Sequence, residues 1–197
     1  MNQQEAFWKG SFGDEYHERN KNLLATNIAF FAEALATCDK LTSIIELGAG
    51  SGENLRALEL LFPDSELWGV EINEKAAHKI PCGNVIVASL LDFKQPATCK
   101  PDLSFTKGVL IHIAAEDLVD AYARLYESSS KYILIAEYYA ETPTEVKYRG
   151  HEGVLWKRDF GDDFEKLHDV ELIDMGWSGK DHPNFPQDDI DWWLFSK

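Results

Sequence analysis

Glycines at 48, 50 and 52, with acids at 46 and 53, stand where the apolar run Ile44-Ile45-Glu46-Leu47 gives way to a helical stretch entering Asn54-Leu55. Glycine lets a chain turn tightly and approach a ligand with no Cβ in the way. A dinucleotide fingerprint would place its third glycine at position 53, where Glu53 instead opposes a pyrophosphate. With no Tyr-x-x-x-Lys set in the chain, a nicotinamide-dependent oxidoreductase is disfavoured. Glu71 ends the next apolar run, 19 residues beyond Gly52, near the spacing at which a carboxylate accepts from ribose hydroxyls. Glu71 alone reads as well as the cap of a helix starting near Asn73; beside the glycine turn, ribose binding is favoured. Farther on, Ser89 and Leu90 offer a backbone contact and an apolar cover, and Asp92 an acceptor. Thr106, Lys107 and Gly108 close a fourth apolar run. His112, between Ile111 and Ile113, reads equally as a general base and as a packed histidine.

Such residues meet only if short buried strands alternate with helices. The pattern predicts strands at 43–47, 66–71, 85–88, 103–106 and 132–137, with helices at 52–61, 74–79 and 116–127 between them. That is a doubly wound α/β sheet, mostly parallel, with helices on both faces. Its ligands sit outside the carboxyl ends of the strands at the topological switch. A short helix follows Asp159, then apolar segments at 170–175 and 191–195. The Gly-, Pro- and Asp-rich stretch between those two is no crossover helix, so the C-terminal strand is expected to be antiparallel. Aromatic and charged residues at 1–22 and an amphipathic stretch at 23–37 predict a helical lead-in or lid over 1–40, ahead of a core over 41–197, all in one domain.

The chain carries 19 basic and 34 acidic residues, a formal charge of −15 that repels phosphate backbones and anionic lipid surfaces. Neither nucleic acid nor membrane is an expected partner. Cys38, Cys82 and Cys99 are too scattered for a disulfide framework or a zinc site, and no metal is expected. With no basic and apolar leader and no apolar run near the roughly 20 residues that span a bilayer, a cytoplasmic location is expected. The oligomeric state is not readable.

Glu46, Gly48, Gly50 and Gly52 in this arrangement resemble motif I of the class I methyltransferases. Further segments narrow the resemblance: Phe7-Trp8-Lys9-Gly10-Ser11-Phe12-Gly13-Asp14-Glu15-Tyr16 with Arg19-Asn20, Glu137-Tyr138-Tyr139, and Tyr148-Arg149-Gly150-His151-Glu152-Gly153 with Lys157-Arg158-Asp159-Phe160. Together they resemble the pseudaminic acid biosynthesis-associated methylases over nearly the whole chain. The resemblance implies S-adenosylmethionine as cofactor, held by Tyr16, Arg19, Glu46, the three glycines, Glu71, Ile72, Ser89, Leu90, Thr106, Lys107 and Gly108. Methylation of a hydroxyl on a nonulosonic, pseudaminic-type acid sugar is the implied step. His112, or failing it Glu137, then takes the acceptor proton, while Tyr138, Tyr139, Tyr148 and Arg149 orient the acceptor. Arg149 presents a planar fork suited to a carboxylate. A non-sugar acceptor methylated on nitrogen or oxygen, or a non-catalytic cofactor-binding protein, are the alternatives.

Overall fold

The computed structural model describes residues 2–19 and 23–197, without the side chains of 17–19. Three helices lead in: α1 (Gln3–Lys9), α2 (Ser11–Arg19) and α3 (Leu24–Ala34). An Asn2–Glu5 capping box starts α1, each side chain taking the other's backbone N–H at 2.8 Å.

Five parallel strands follow, β1 (Ser43–Leu47), β2 (Glu66–Glu71), β3 (Asn84–Val87), β4 (Leu103–Lys107) and β5 (Tyr132–Glu137). The helices α4 (Glu53–Leu61), α5 (Glu74–Ala77) and α6 (Leu118–Glu127) fall between them. Chain order reverses at β1, whose neighbours are β2 and β4. Ligands of open α/β sheets bind at such a reversal, beyond the carboxyl ends of the strands.

After β5 the chain makes a feature the pattern did not reveal, a hairpin of β6 (Thr144–Glu145) and β7 (Trp156–Lys157). Two residues per strand give too short an alternation to read. A smaller turn nested inside it has Arg149 and Gly150 at φ of 50° and 89°, with Tyr148 and His151 exchanging both backbone hydrogen bonds at 2.9 Å. Positive φ at both central residues is the primed geometry that matches strand twist. The helix α7 (Phe160–Glu165) leads to β8 (Glu171–Ser178) and β9 (Ile190–Ser196). The sheet order is β3-β2-β1-β4-β5-β9-β8, with β9 antiparallel to both β5 and β8. The expected antiparallel terminal pair is present; β8 begins one residue later and ends three residues later than the apolar pattern indicated, and β9 extends one residue further at each end.

Strand alternation divides the core. Ile45, Leu47, Ile133 and Ile135 pack with Tyr122 and Leu125 of α6 and with Phe160 and Phe164 of α7. Ile44, Leu103, Phe105, Leu134 and Ala136 pack on the opposite face with Phe30 and Phe31 of α3 and with Leu55 and Leu58 of α4. By the same two-residue period Glu46 and Lys107 face the α3/α4 side, whereas Thr106 and Glu137 face the α6/α7 side.

Candidate active site

A cavity of about 220 Å³ opens at the carboxyl ends of β1, β2 and β4 and is covered by α1 and α2. Its floor is the glycine turn after β1. Gly48 and Ala49 donate their backbone N–H groups to the Val70 carbonyl at 2.8 and 2.9 Å, and Gly50 donates to Glu71 Oε2 at 2.7 Å. Gly48 and Gly50 hold φ of 89° and 56°. A Cβ on Gly48 would lie 2.6 Å from the Val109 side chain, so the turn needs glycine there for packing as well as for conformation.

Glu71 lies on the cavity wall, its other oxygen accepting from the Asn73 N–H at 2.7 Å. Burial pushes its carboxyl up from the usual range, against the Asn73 and Gly50 hydrogen bonds. Each oxygen takes one backbone donor and keeps a lone pair for a ligand hydroxyl. Helix capping near Asn73 is done by Asn73 itself, whose Oδ1 accepts from the Ala76 N–H. The same side chain donates from Nδ2 to the Trp8 carbonyl at 3.1 Å and to Asp14 Oδ1 at 3.0 Å, tying the covering helices to the loop after β2. Lys75 pairs with Asp14 beside it, at 2.5 Å.

The structure places Tyr16, Gly48, Gly50, Glu71, Ile72, Ser89, Leu90, Lys107, Gly108 and His112 on this wall. It does not bring the others there. Glu46 is buried behind the turn, accepting from Asn54 Nδ2 at 2.6 Å, and burial pushes it up to about 8. Gly52 precedes α4 at φ 85°, packed against Ile80 and Pro81. Thr106 is buried within β4. Arg19 has its side chain outside the described residues.

Glu137 is buried too, its carboxylate accepting from the backbone N–H groups of Val109 and Leu110 at 3.0 Å and of Ile111 at 3.4 Å. Burial pushes it up to about 7 despite those bonds. It fixes the turn that presents His112 and is not itself on the wall.

His112 is buried at the end of that turn, its Nδ1 2.8 Å from the Val154 carbonyl. A carbonyl only accepts, so Nδ1 carries the hydrogen and the lone pair of the neutral ring is on Nε2. Burial holds the ring down at about 4, neutral at pH 7. Trp8 lies 4.5 Å from it and Tyr148 5.3 Å, centroid to centroid. The indole Nε1 of Trp8 is buried with no hydrogen-bond partner.

Tyr148 joins this aromatic cluster without reaching the wall, since the nested 148–151 turn lays Tyr148 and His151 against Phe12 and His151 against Phe7. Arg149 projects from the exposed tip of that turn, over the Tyr148 ring at 5.8 Å. Tyr138 donates to Asp188 at 2.7 Å, and Tyr139 is exposed against Trp193.

The sequence reading missed Glu5, Trp8, Asn27 and Glu53 as wall residues. Asn27 had a signal, a buried amide in the otherwise apolar Ile28-Ala29-Phe30-Phe31 surroundings of α3. Glu5 and Trp8 had none: a lid over 1–40 was expected, but which of its residues meet the wall depends on contacts with Asn73, more than fifty residues away. Among the described residues no group of three or more His, Cys, Asp or Glu side chains could hold a metal, and no helix is long and apolar enough to cross a membrane.

No protein-family model matches the chain, and no curated protein matches its sequence. Solved structures do. A magnesium protoporphyrin IX methyltransferase from Synechocystis, with bound S-adenosylmethionine, superposes with a TM-score of 0.68 at 12% identity, over 100% of this chain and 98% of that one. A Burkholderia thailandensis 1,6-didemethyltoxoflavin N1-methyltransferase gives 0.71 at 12%, over 98% and 88%. An amino pentose methyltransferase from Micromonospora echinaspora gives 0.65 at 10%, over 95% and 96%. The chain therefore has the class I methyltransferase fold.

Proposed function

We propose that this protein is an S-adenosylmethionine-dependent methyltransferase that acts on a hydroxyl of an acidic sugar of the nonulosonic, pseudaminic-type class. The observation that carries the reading is the wall running from Glu71, across the Cβ-free glycine turn, to a neutral His112. The residues fit an adenosyl sulfonium. Glu71 keeps lone pairs for the ribose hydroxyls, and Ser89 and Leu90 flank the place of the base. Gly108 holds φ 68° on the wall, and a Cβ there would project into open space. Glu53 on the same wall disfavours a pyrophosphate and suits a cation.

The bound cofactor supplies an electrophilic methyl on a positively charged sulfur. The protein's part is alignment, exclusion of water and proton removal. Trp8, Tyr16 and the covering helices close the cavity. The Trp8 and His112 rings lie 4.5 Å apart, centroid to centroid, and Trp8 Nε1 is a buried donor without a partner; in this reading the acceptor hydroxyl accepts from the indole while its proton passes to His112 Nε2. Glu137 positions His112 by holding the 109–111 turn. Arg149 and Tyr148, beside the covering helices, are the groups offered to an acidic acceptor. The Phe7-to-Tyr16 and Tyr148-to-Gly153 segments support the sugar assignment through the family resemblance, and the amino pentose methyltransferase indicates that this fold accommodates sugars.

The test is acceptor-dependent release of S-adenosylhomocysteine across nonulosonic acids, free and nucleotide-linked. Turnover is expected with one of them, falling about a hundredfold or more in His112→Ala with cofactor affinity preserved. Unchanged turnover in both His112→Ala and Glu137→Gln would contradict the assignment of the base, and no turnover with any sugar would contradict the acceptor class.

A further inference from the structure

The sheet ends in two edge strands of different kinds. β3 is four residues long, which blunts that edge by length. β8 runs eight residues and has β9 as its one neighbour among the described residues. A bulge leaves Ile173 without a partner in β9, but 174–178 pairs in regular register, with no lysine or proline to guard it. Residues of β9 alternate in which neighbour they bond. Lys197 donates its N–H to the Lys131 carbonyl, just ahead of β5, so by the two-residue period Trp193 and Asp191 bond β5 while Leu194, Trp192 and Ile190 bond β8. Met175 and Trp177, level with Trp193 and Asp191, therefore turn their main-chain groups to the open edge. There the Met175 N–H is taken by the carboxylate of its own neighbour Asp174, at 2.9 Å. Both side chains lie on the α7 face, 60% and 50% exposed, with Tyr139 exposed against Trp193 beside them.

We propose that β8 pairs antiparallel with β8 of a second copy of this chain, about a two-fold axis at Gly176, joining two sheets into one. In this register Met175 stands opposite Trp177 twice. Those are the residues with main-chain groups at the edge, so each pair exchanges both hydrogen bonds while thioether packs on indole. Asp174 falls opposite Ser178, so no acid meets an acid. The bulge drops Ile173 from the count and brings Glu171 level with Lys180 of the second copy. The strand is thus complementary in charge to itself read backwards, as an isologous contact requires. An axis at Met175 would draw the bulge into the new ladder, and one at Trp177 would run the ladder past the end of β8 at Ser178.

The experiment is sedimentation velocity of the full chain over a concentration series at low and high salt. A reversible dimer with a dissociation constant on the order of 1 to 100 μM is expected, in keeping with a small contact. Salt should tighten it by screening the repulsion between two copies of charge −15. Two double variants, Met175→Lys with Trp177→Lys and Met175→Glu with Trp177→Glu, each set like charges opposite one another and are expected to weaken the dimer about a hundredfold. Mixed in equal amounts they should associate within about tenfold of the wild type, because position 175 of one then meets an opposite charge at 177 of the other. A wild type that stays monomeric up to about 200 μM would overturn the proposal. So would a dimer that survives both double variants, which would put the contact on another face, or a mixture that stays monomeric.

Discussion

Buried ionisable groups around the glycine turn set how the protein responds to pH. Glu46 is held up to about 8 against an ordinary value of 4.5, so the folded chain keeps a proton there that the unfolded chain releases. Between those values the folded state binds more protons, and its stability is full below 4.5 and falls as pH rises toward 8, by up to about 1.4 kcal/mol per pH unit. Glu46→Gln keeps the acceptor for Asn54 and removes the titration. The stability difference between wild type and Glu46→Gln, from denaturant unfolding at pH 5.5 and 7.5, is expected to shift against the wild type as pH rises; parallel pH profiles would contradict this. His112 works with the opposite sign, its folded value of about 4 lying below the unfolded 6.5, so its contribution is lost as pH falls through that window. The acid at 46 was legible as part of a glycine motif. Its burial behind the turn, with one oxygen left unpartnered, was not, because that follows from the strand parity that points Glu46 at Asn54.

The elements that matter most to the site are the covering helices and the loop that ties them down. Asn73 caps α5 and also holds the Trp8 carbonyl and Asp14, so one side chain serves two elements. Asn73→Ala is expected to cost about 1 kcal/mol or somewhat more, as a lost N-cap does, and to speed hydrogen exchange across α1 and α2. Stability loss with unchanged exchange in those helices would mean that the tether contributes nothing. The five parallel strands and the terminal antiparallel pair were readable because each is a short apolar run bounded by turn residues. The 144–157 hairpin was not, since its contacts with Phe7, Phe12 and His112 are long-range and its strands too short to alternate. Arg149 illustrates the consequence: its type suited an anion, but its place at the exposed tip of a primed turn, outside the cavity wall, was not legible.

At the scale of the molecule, the reversal of strand order at β1 explains why groups far apart in sequence converge. Glu71, Lys107, Gly108 and the glycine turn all lie at the carboxyl ends of β1 and its two neighbours, while α1 and α2 close over them from the other end of the chain. The sequence carried this convergence through the order of its loops, each residue being ambiguous alone. The most direct test is calorimetric titration of the purified protein with S-adenosylmethionine and S-adenosylhomocysteine, with NADH and NADPH in parallel. Saturable binding of the first pair alone is the predicted result. Absence of binding by that pair, or tighter binding of either nicotinamide nucleotide, would contradict the reading of the cavity built on Gly48, Gly50, Glu53 and Glu71.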